Sequence, residues 1–352
     1  MKKKVLIVAG GTGGHIFPAL AFGRWILDQG KAESVIYISG SRPLEAEIYA
    51  SQGIEPYRLP ISGSPLGGAI CRRTIGHLCS LVTTRFFLQR ERPDVCFLFG
   101  SYVSLAPLLW CKWFGVPVIA HEQNACAGKV TRLASRMGVP VALGWNECSM
   151  VNGAFPVGVP VRSFRRLSRQ EAASALGIKT EDGDLVIGVI GGSLGSAPLS
   201  ALIGKMSREM VGRKILFIVL GEQSGASFGP GVEFVGRYWD MAPFYSLCDA
   251  VVCRAGASTL AELAAFGIPA LAIPWRGAAD GHQEANARNF SSMTGNPTWI
   301  EGGRDEESLE AAFDKLLKRT LDTRKNSGDF INNTASSALW EFGLSTSQQH
   351  AG

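Results

Sequence analysis

Short apolar runs alternate with stretches of helical periodicity along nearly the whole chain. The strand-like runs are residues 5–9, 35–39, 95–99, 118–120, 185–190, 215–220, 250–253 and 270–273. They are continuous rather than alternating, the pattern of strands buried on both faces. The helical segments between them supply the crossovers that parallel pairing needs. The pattern predicts an α/β architecture of parallel sheets covered by helices. It also repeats: residues 5–14 (VLIVAGGTGG) and 186–195 (VIGVIGGSLG) each read as a buried strand, a Gly-Gly-(Thr/Ser)-x-Gly loop and a helix start. Two similar domains facing each other across a cleft are expected, with the boundary near the basic, proline-bearing stretch GVPVRSFRR (158–166). The first domain is placed at 1–162 and the second at 163–333. Residues 334–352 read as a helix too polar to carry a core alone, expected to pack back on the first domain.

Composition narrows the class without naming it. A chain of 352 residues, 46% hydrophobic and 18% charged, has the make-up of a globular protein long enough for two cores. Its 8 cysteines form no C-x-x-C pair, so neither a zinc site nor a disulfide framework is indicated, and a reducing cytoplasm is the expected compartment. Lys2, Lys3 and Lys4 precede an apolar run too short for a signal peptide. Residues 97–120 are apolar apart from Lys112 but are broken by Gly100-Ser101, Pro107 and Gly115-Val116-Pro117, which suits strand–helix–strand better than a membrane span. Charge is uneven: residues 1–162 carry 17 Lys+Arg against 9 Asp+Glu, and residues 163–352 carry 18 against 21. A basic first half suits an anionic partner, whether a phosphate-bearing ligand, nucleic acid or a membrane surface; solubility alone is the plainer explanation.

The glycine loops sharpen the choice. Backbone N–H groups gathered at a helix N-terminus make an anion site. A dinucleotide fingerprint would need glycine at 16, where Ile16 stands, and a P-loop would need Gly-Lys where His15-Ile16 stand. The first loop is thus suited to phosphate without being either motif; a tight turn for helix–strand packing is the competing reading. The chain has 5 histidines, and three stand in distinctive contexts: His15 ending the loop, His121 opening His-Glu-Gln-Asn, and His282 in Asp-Gly-His-Gln. His15 and His121 should emerge at carboxyl ends of parallel strands, where open α/β sheets bind ligands. Imidazole there can act as a general base near neutral pH.

The stretches GGTGGHIFPALA (10–21), GSYVSLAP (100–107), HEQNACAG (121–128), GVPVR (158–162), GGSLGS (191–196), CRAGASTLAE (253–262) and DGHQEANA (280–287) follow the order and spacing of the MurG family, and the chain resembles it over roughly residues 5–290. That resemblance implies a GT-B fold of two Rossmann-like domains, the first for acceptor and the second for donor. It implies inverting transfer of N-acetylglucosamine from UDP-N-acetylglucosamine to the C4 hydroxyl of undecaprenyl-diphospho-N-acetylmuramoyl-pentapeptide, a step of peptidoglycan synthesis linked to cell shape and division. By the same resemblance His15 is the candidate base, with Glu122 a second participant or an orienting carboxylate. Donor contacts fall on Thr12, Gly13, Gly14, Asn124, Arg162, Ser193, Val235, the segment Ala257, Ser258, Thr259, Leu260, Ala261 and Glu262, and Gln283 with His282 and Asn286 beside it. Acceptor contacts fall on Gly11, Thr12, Gly13, Gly14, Tyr102 and His121. Without the resemblance, Glu262 reads as a solvated helix residue. The chain departs from the family pattern at Leu194, Val159 and Cys126, none of which removes a chemical group the reaction needs.

No metal or other cofactor is expected. Asp182-Gly183-Asp184 spells a D-x-D but precedes its strand and reads as a polar turn. Residues 64–92 mix Leu66, Ile70, Ile75, Leu78, Leu81, Val82 and Phe86 with Arg72, Arg73, Arg85, Arg90 and Arg92, which fits an amphipathic element on anionic lipid or an ordinary helix facing the core. The expected partners are the nucleotide sugar, the lipid-linked acceptor, an anionic membrane surface at the inner face of the cell membrane, and cell-wall synthesis or division proteins, with no nucleic acid. The competing functions are another GT-B enzyme (a lipid glycosyltransferase or a UDP-N-acetylglucosamine 2-epimerase) and a non-catalytic nucleotide-sugar-binding protein.

Overall fold

The computed structural model describes residues 3–63, 70–192, 197–210, 212, 214–223, 228–301, 308–325 and 334–349. The chain divides into two compact units, residues 1–162 together with 333–352, and residues 163–332.

The first unit is built on parallel strands β1 (Lys3–Val8), β2 (Ala32–Ser39), β3 (Tyr57–Arg58), β4 (Val95–Leu98), β5 (Val118–Glu122), β6 (Val141–Leu143) and β7 (Phe155–Pro156). Among the described residues they form one sheet in the order β3-β2-β1-β4-β5-β6-β7. Helices α1 (Gly13–Asp28), α2 (Pro43–Ser51), α3 (Ile70–Glu91), α4 (Leu105–Trp113) and α5 (Lys129–Arg136) make the connections. The central strands are buried on both faces, as their unbroken apolar sequence requires: Val5, Leu6, Ile7 and Val8 are all fully buried. One face packs Leu6, Val8, Cys96 and Leu98 against Phe87, Leu88, Leu108 and Cys111. On the other, Phe22 of α1 meets Phe97 edge-on at 4.7 Å. The order reverses between β1 and β4, so the loops following those two strands open at the crevice where such sheets bind ligands.

The second unit repeats the plan with β8 (Leu185–Ile190), β9 (Ile215–Leu220), β10 (Val232–Val235), β11 (Ala250–Cys253) and β12 (Ala270–Ala272), ordered β10-β9-β8-β11-β12, all parallel. Its helices are α6 (Arg169–Leu176), α7 (Ala197–Glu209), α8 (Ala242–Leu247), α9 (Ala257–Phe266), α10 (His282–Thr294) and α11 (Leu309–Lys325). The switch here lies between β8 and β11. The internal echo extends to the backbone: Gly11 and Gly192, equivalent in the two loops, have φ of +90° and +88°. That left-handed turn is open to glycine at little steric cost. The last helix, α12 (Ala335–Gln349), belongs to the first unit, where Trp340 stacks over Phe97 and Phe342 over Phe155.

Strands β3, β6, β7 and β10 are absent from the sequence-based pattern. Each is 2 to 4 residues long, too short to show a period, and pairs at or near a sheet edge. Asp182-Gly183-Asp184 is a turn before β8: Gly183 has φ +88° and the Glu181 amide donates to Asp184 at 2.7 Å.

Candidate active site

The loop after β1 turns at Gly11 and hands over to α1 at Thr12, an N-cap in extended conformation whose side chain makes no capping bond. The amides of His15 and Ile16 already return to the Thr12 carbonyl. Those of Gly13 and Gly14 precede any intrahelical acceptor, and no acidic side chain lies in the first turn, so this end of α1 presents positive backbone dipole. The Gly11 amide has a different job. It donates to Glu45 Oε1 at 2.6 Å, and the Tyr102 hydroxyl donates to the same oxygen at 2.5 Å. Burial, reinforced by that hydrogen bond, holds the Tyr102 hydroxyl well above its ordinary range. Glu45 comes from α2, is fully buried, and keeps its second oxygen without a hydrogen bond. The sequence gives no hint of it, because a glutamate on a short helix reads as solvated.

Gly100 and Ser101, after β4, both have positive φ. Ser101 sits at φ 70°, ψ 164°, a region almost reserved for glycine, and its buried hydroxyl makes no hydrogen bond. Strain of this kind costs about 1–3 kcal/mol, part of it offset by the unfolded-state freedom a glycine brings. Ser101→Gly is therefore expected to stabilise the protein by about 1 kcal/mol, raising the thermal midpoint by about 2–4 °C, readable by calorimetry. An unchanged or lowered midpoint would contradict the strain.

The run 121–124 follows from β5. His121 is fully buried; its Nε2 donates to the Gly158 carbonyl at 2.9 Å and its Nδ1 lies 2.9 Å from Gln123 Nε2. Loss of solvent pushes His121 down to about 4, so the ring is neutral at ordinary pH. Both ring nitrogens, on which an acceptor contact of His121 would draw, are engaged inside the protein. Glu122 is likewise closed on its own loop. Oε1 accepts the amide and the side-chain nitrogen of Asn124 at 3.1 and 3.2 Å; Oε2 accepts the Gly128 amide at 2.9 Å and the Thr131 hydroxyl at 2.6 Å. Four donors thus share its two oxygens. Gln123 links the run to the first loop: its Oε1 lies 2.7 Å from His15 Nδ1. His15 itself is only partly buried. Arg162 lays its guanidinium over the Phe17 ring, 3.9 Å from its centroid.

In the second unit, Ser193 lies outside the described residues. Helix α9 begins at Ala257 after an extended Gly256 N-cap, directly beyond β11, so Ala257, Ser258 and Thr259 form its first turn. Glu262 is buried rather than solvated and accepts the Tyr245 hydroxyl at 2.7 Å, which corrects the reading from the sequence pattern alone. Leu260 and Ala261 lie on the same helix, and Leu260 is buried in the core. Arg254 is buried with its guanidinium on the Ile273 and Pro274 carbonyls, and that burial lowers its pKa. Asn286 is buried and donates to the Ala255 carbonyl, pinning the turn before α9. Gln283 opens α10 and takes the Trp275 amide on Oε1 at 2.8 Å, while Val235 ends β10 beside Leu220. Glu45, Gln123, Tyr245 and Arg254 are the polar groups that sequence reasoning missed. Gln123 had a signal, standing inside the His-Glu-Gln-Asn run.

Comparison with known proteins fixes the family. The glycosyltransferase family 28 N-terminal domain matches residues 5–142 and the glycosyltransferase family 28 C-terminal domain residues 186–339. The UDP-N-acetylglucosamine--N-acetylmuramyl-(pentapeptide) pyrophosphoryl-undecaprenol N-acetylglucosamine transferase of Stutzerimonas stutzeri is 35% identical over 334 residues, 90% of each chain. The protein of that name from Pseudomonas fluorescens is 34% identical over 303 residues, 82% of each. The chain belongs to the MurG family. It is a glycosyltransferase with the GT-B pair of parallel-sheet domains. The crystal structure of Acinetobacter baumannii MurG superposes with a TM-score of 0.62 at 23% identity, covering 100% of this chain and 99% of that one. The UDP-GlcNAc 2-epimerase of Neisseria meningitidis reaches 0.60 at 13% identity, covering 97% and 100%. Both likenesses are of fold alone; it is membership of the MurG family that separates this chain from the epimerases.

Proposed function

We propose that this MurG family member transfers N-acetylglucosamine from UDP-N-acetylglucosamine to the C4 hydroxyl of undecaprenyl-diphospho-N-acetylmuramoyl-pentapeptide, with inversion at C1, in peptidoglycan synthesis. As the acceptor oxygen bonds to C1, its proton passes to the His15 imidazole. The bond from C1 to the diphosphate oxygen breaks, and UDP leaves with the electron pair. The Gly13 and Gly14 amides, with Thr12, supply dipole to a diphosphate. On the second unit the first turn of α9 supplies the same for the donor, a contribution of about 0.3–1 kcal/mol per helix end, up to about 2 where partly buried. Glu262 and Gln283 read the ribose and sugar hydroxyls, and Asn124 and Arg162 are the first unit's contacts to the donor. The observation that supports this reading best is the partly buried His15 at the head of a glycine loop, hydrogen-bonded into the 121–124 run. The test is transfer of radiolabelled sugar from UDP-N-acetylglucosamine to a synthetic lipid-linked acceptor. UDP release without labelled lipid, or none with acceptor present, would refute it.

The acceptor's lipid places the work at a membrane surface, and α3 supports peripheral binding there. Its apolar stripe Ile75, Leu78, Val82 and Phe86 is 57–60% exposed, while Ser80 and Thr84 face inward and are buried. Trp113 of α4 is also exposed, and Arg85 lies over the Phe86 and Trp110 rings. A helix with its apolar stripe outward and arginines beside it suits an anionic lipid surface. Among the described residues no helix is long and apolar enough to cross a membrane. Changing Ile75, Leu78, Val82 and Phe86 together to serine is expected to cut flotation with phosphatidylglycerol vesicles at least about tenfold while transfer to a water-soluble acceptor persists. Equal flotation of the two proteins would refute the contact.

A further inference from the structure

We infer that Gln123 is a positioning residue that locks His15 in the tautomer carrying hydrogen on Nδ1, leaving Nε2 as the basic nitrogen. The inference rests on the reading of His15 as the base and adds which atom does the work and what holds it.

Two backbone carbonyls, which can only accept hydrogen bonds, set the direction of the whole relay. Gly158 O lies 2.9 Å from His121 Nε2, so that nitrogen carries hydrogen. A neutral imidazole has one N–H, so His121 Nδ1 is an acceptor. Gln123 meets it with one atom at 2.9 Å, and the same atom lies 2.8 Å from the His121 carbonyl. Only the amide nitrogen can face both acceptors, and its two hydrogens serve one each. The orientation of the amide is therefore forced, without appeal to hydrogen positions. Its oxygen then points at His15 Nδ1, 2.7 Å away, and an amide oxygen cannot donate. His15 must donate from Nδ1, and Nε2 is left with the lone pair. Nothing in this chain can invert one bond without breaking another.

The chain is also rigid. Gln123 and His121 are 1% and 0% exposed, and the Trp145 indole N–H anchors the Gln123 carbonyl at 2.7 Å. Gln123 plays the part that a carboxylate plays in other base-orienting arrangements, with a difference in consequence. A neutral amide fixes tautomer and ring angle while adding no charge to hold the proton, so the imidazolium formed in the reaction can release it readily.

The experiment is NMR of protein labelled with 15N in its histidine rings, with the His15 signals assigned by their loss in His15→Ala, alongside kinetics of Gln123→Met. Methionine has similar length but cannot replace the amide oxygen as a strong acceptor. In the wild type His15 is expected to show a protonated Nδ1 and an unprotonated Nε2 in its neutral form. In Gln123→Met the ring is expected to shift toward the Nε2–H form that imidazole prefers in water. kcat should fall between about 10- and 1000-fold, with KM for UDP-N-acetylglucosamine within about twofold. A wild-type His15 protonated on Nε2 overturns the inference, and that spectrum decides even if the variant does not fold. A folded Gln123→Met with unchanged tautomer or unchanged kcat overturns it too. Near-normal turnover in His15→Ala would instead remove the base reading, leaving the tautomer assignment standing on the spectrum.

Discussion

His15→Ala is expected to lower kcat for sugar transfer by about 10²–10⁴-fold while moving the thermal midpoint by a few degrees at most. The loss follows from removing the group that takes the acceptor proton. The near-intact midpoint follows from the position of the side chain: it is only partly buried, and among the described residues its one side-chain hydrogen bond is to Gln123 Oε1. A neutral hydrogen bond of that kind contributes about 0.5–1.5 kcal/mol, which spread over a unit of this size moves the midpoint by a few degrees at most. KM for the donor should change little, because the missing interaction develops with the transition state. Turnover within about threefold of wild type would mean that another group carries the proton.

The second large effect separates rate from stability in the opposite sense. Glu122→Gln is expected to destabilise the first unit by at least about 3 kcal/mol, because the new amide turns a donor toward groups that are themselves donors. The Asn124 amide and side chain, the Gly128 amide and the Thr131 hydroxyl all converge on that carboxylate. The midpoint should fall by about 6–12 °C. Activity measured well below the transition should drop as well, since the loop that carries Asn124 loses its anchor. A base would behave otherwise: the isosteric amide would abolish turnover with no change in melting. Calorimetry and kinetics on one preparation distinguish the two, and an unchanged midpoint with lost turnover would restore Glu122 to the chemistry.

Much of the architecture could be read from the amino-acid pattern because parallel strands are buried on both sides and advertise it in unbroken apolar runs. Residues 185–190, 215–220 and 250–253 are strands with those bounds. The Gly-Gly loops were visible as well, and Gly11 and Gly192 share a left-handed φ. Strands β3, β6, β7 and β10, of two to four residues, were not visible, since so few residues carry no clear period. Polar side chains are hard to place from sequence for a different reason. Glu45, His121 and Glu262 have the residue types of solvated or substrate-facing groups, and only tertiary packing decides that each is buried and bonded to protein. In α3 the amphipathic pattern was plain, yet a pattern says nothing of which side faces the core. There the apolar stripe lies outside.

The return of α12 to the first unit bears on how the protein is made. Residues 163–332 must all be synthesised before the helix whose Trp340 stacks on Phe97 exists. At ribosomal speeds of about 5–20 residues per second, those residues take roughly 10–30 s, during which part of the first core stands uncovered beside the growing chain. A stop codon anywhere before α12 would release a chain whose first unit has its sheet but lacks the Trp340 ring over Phe97.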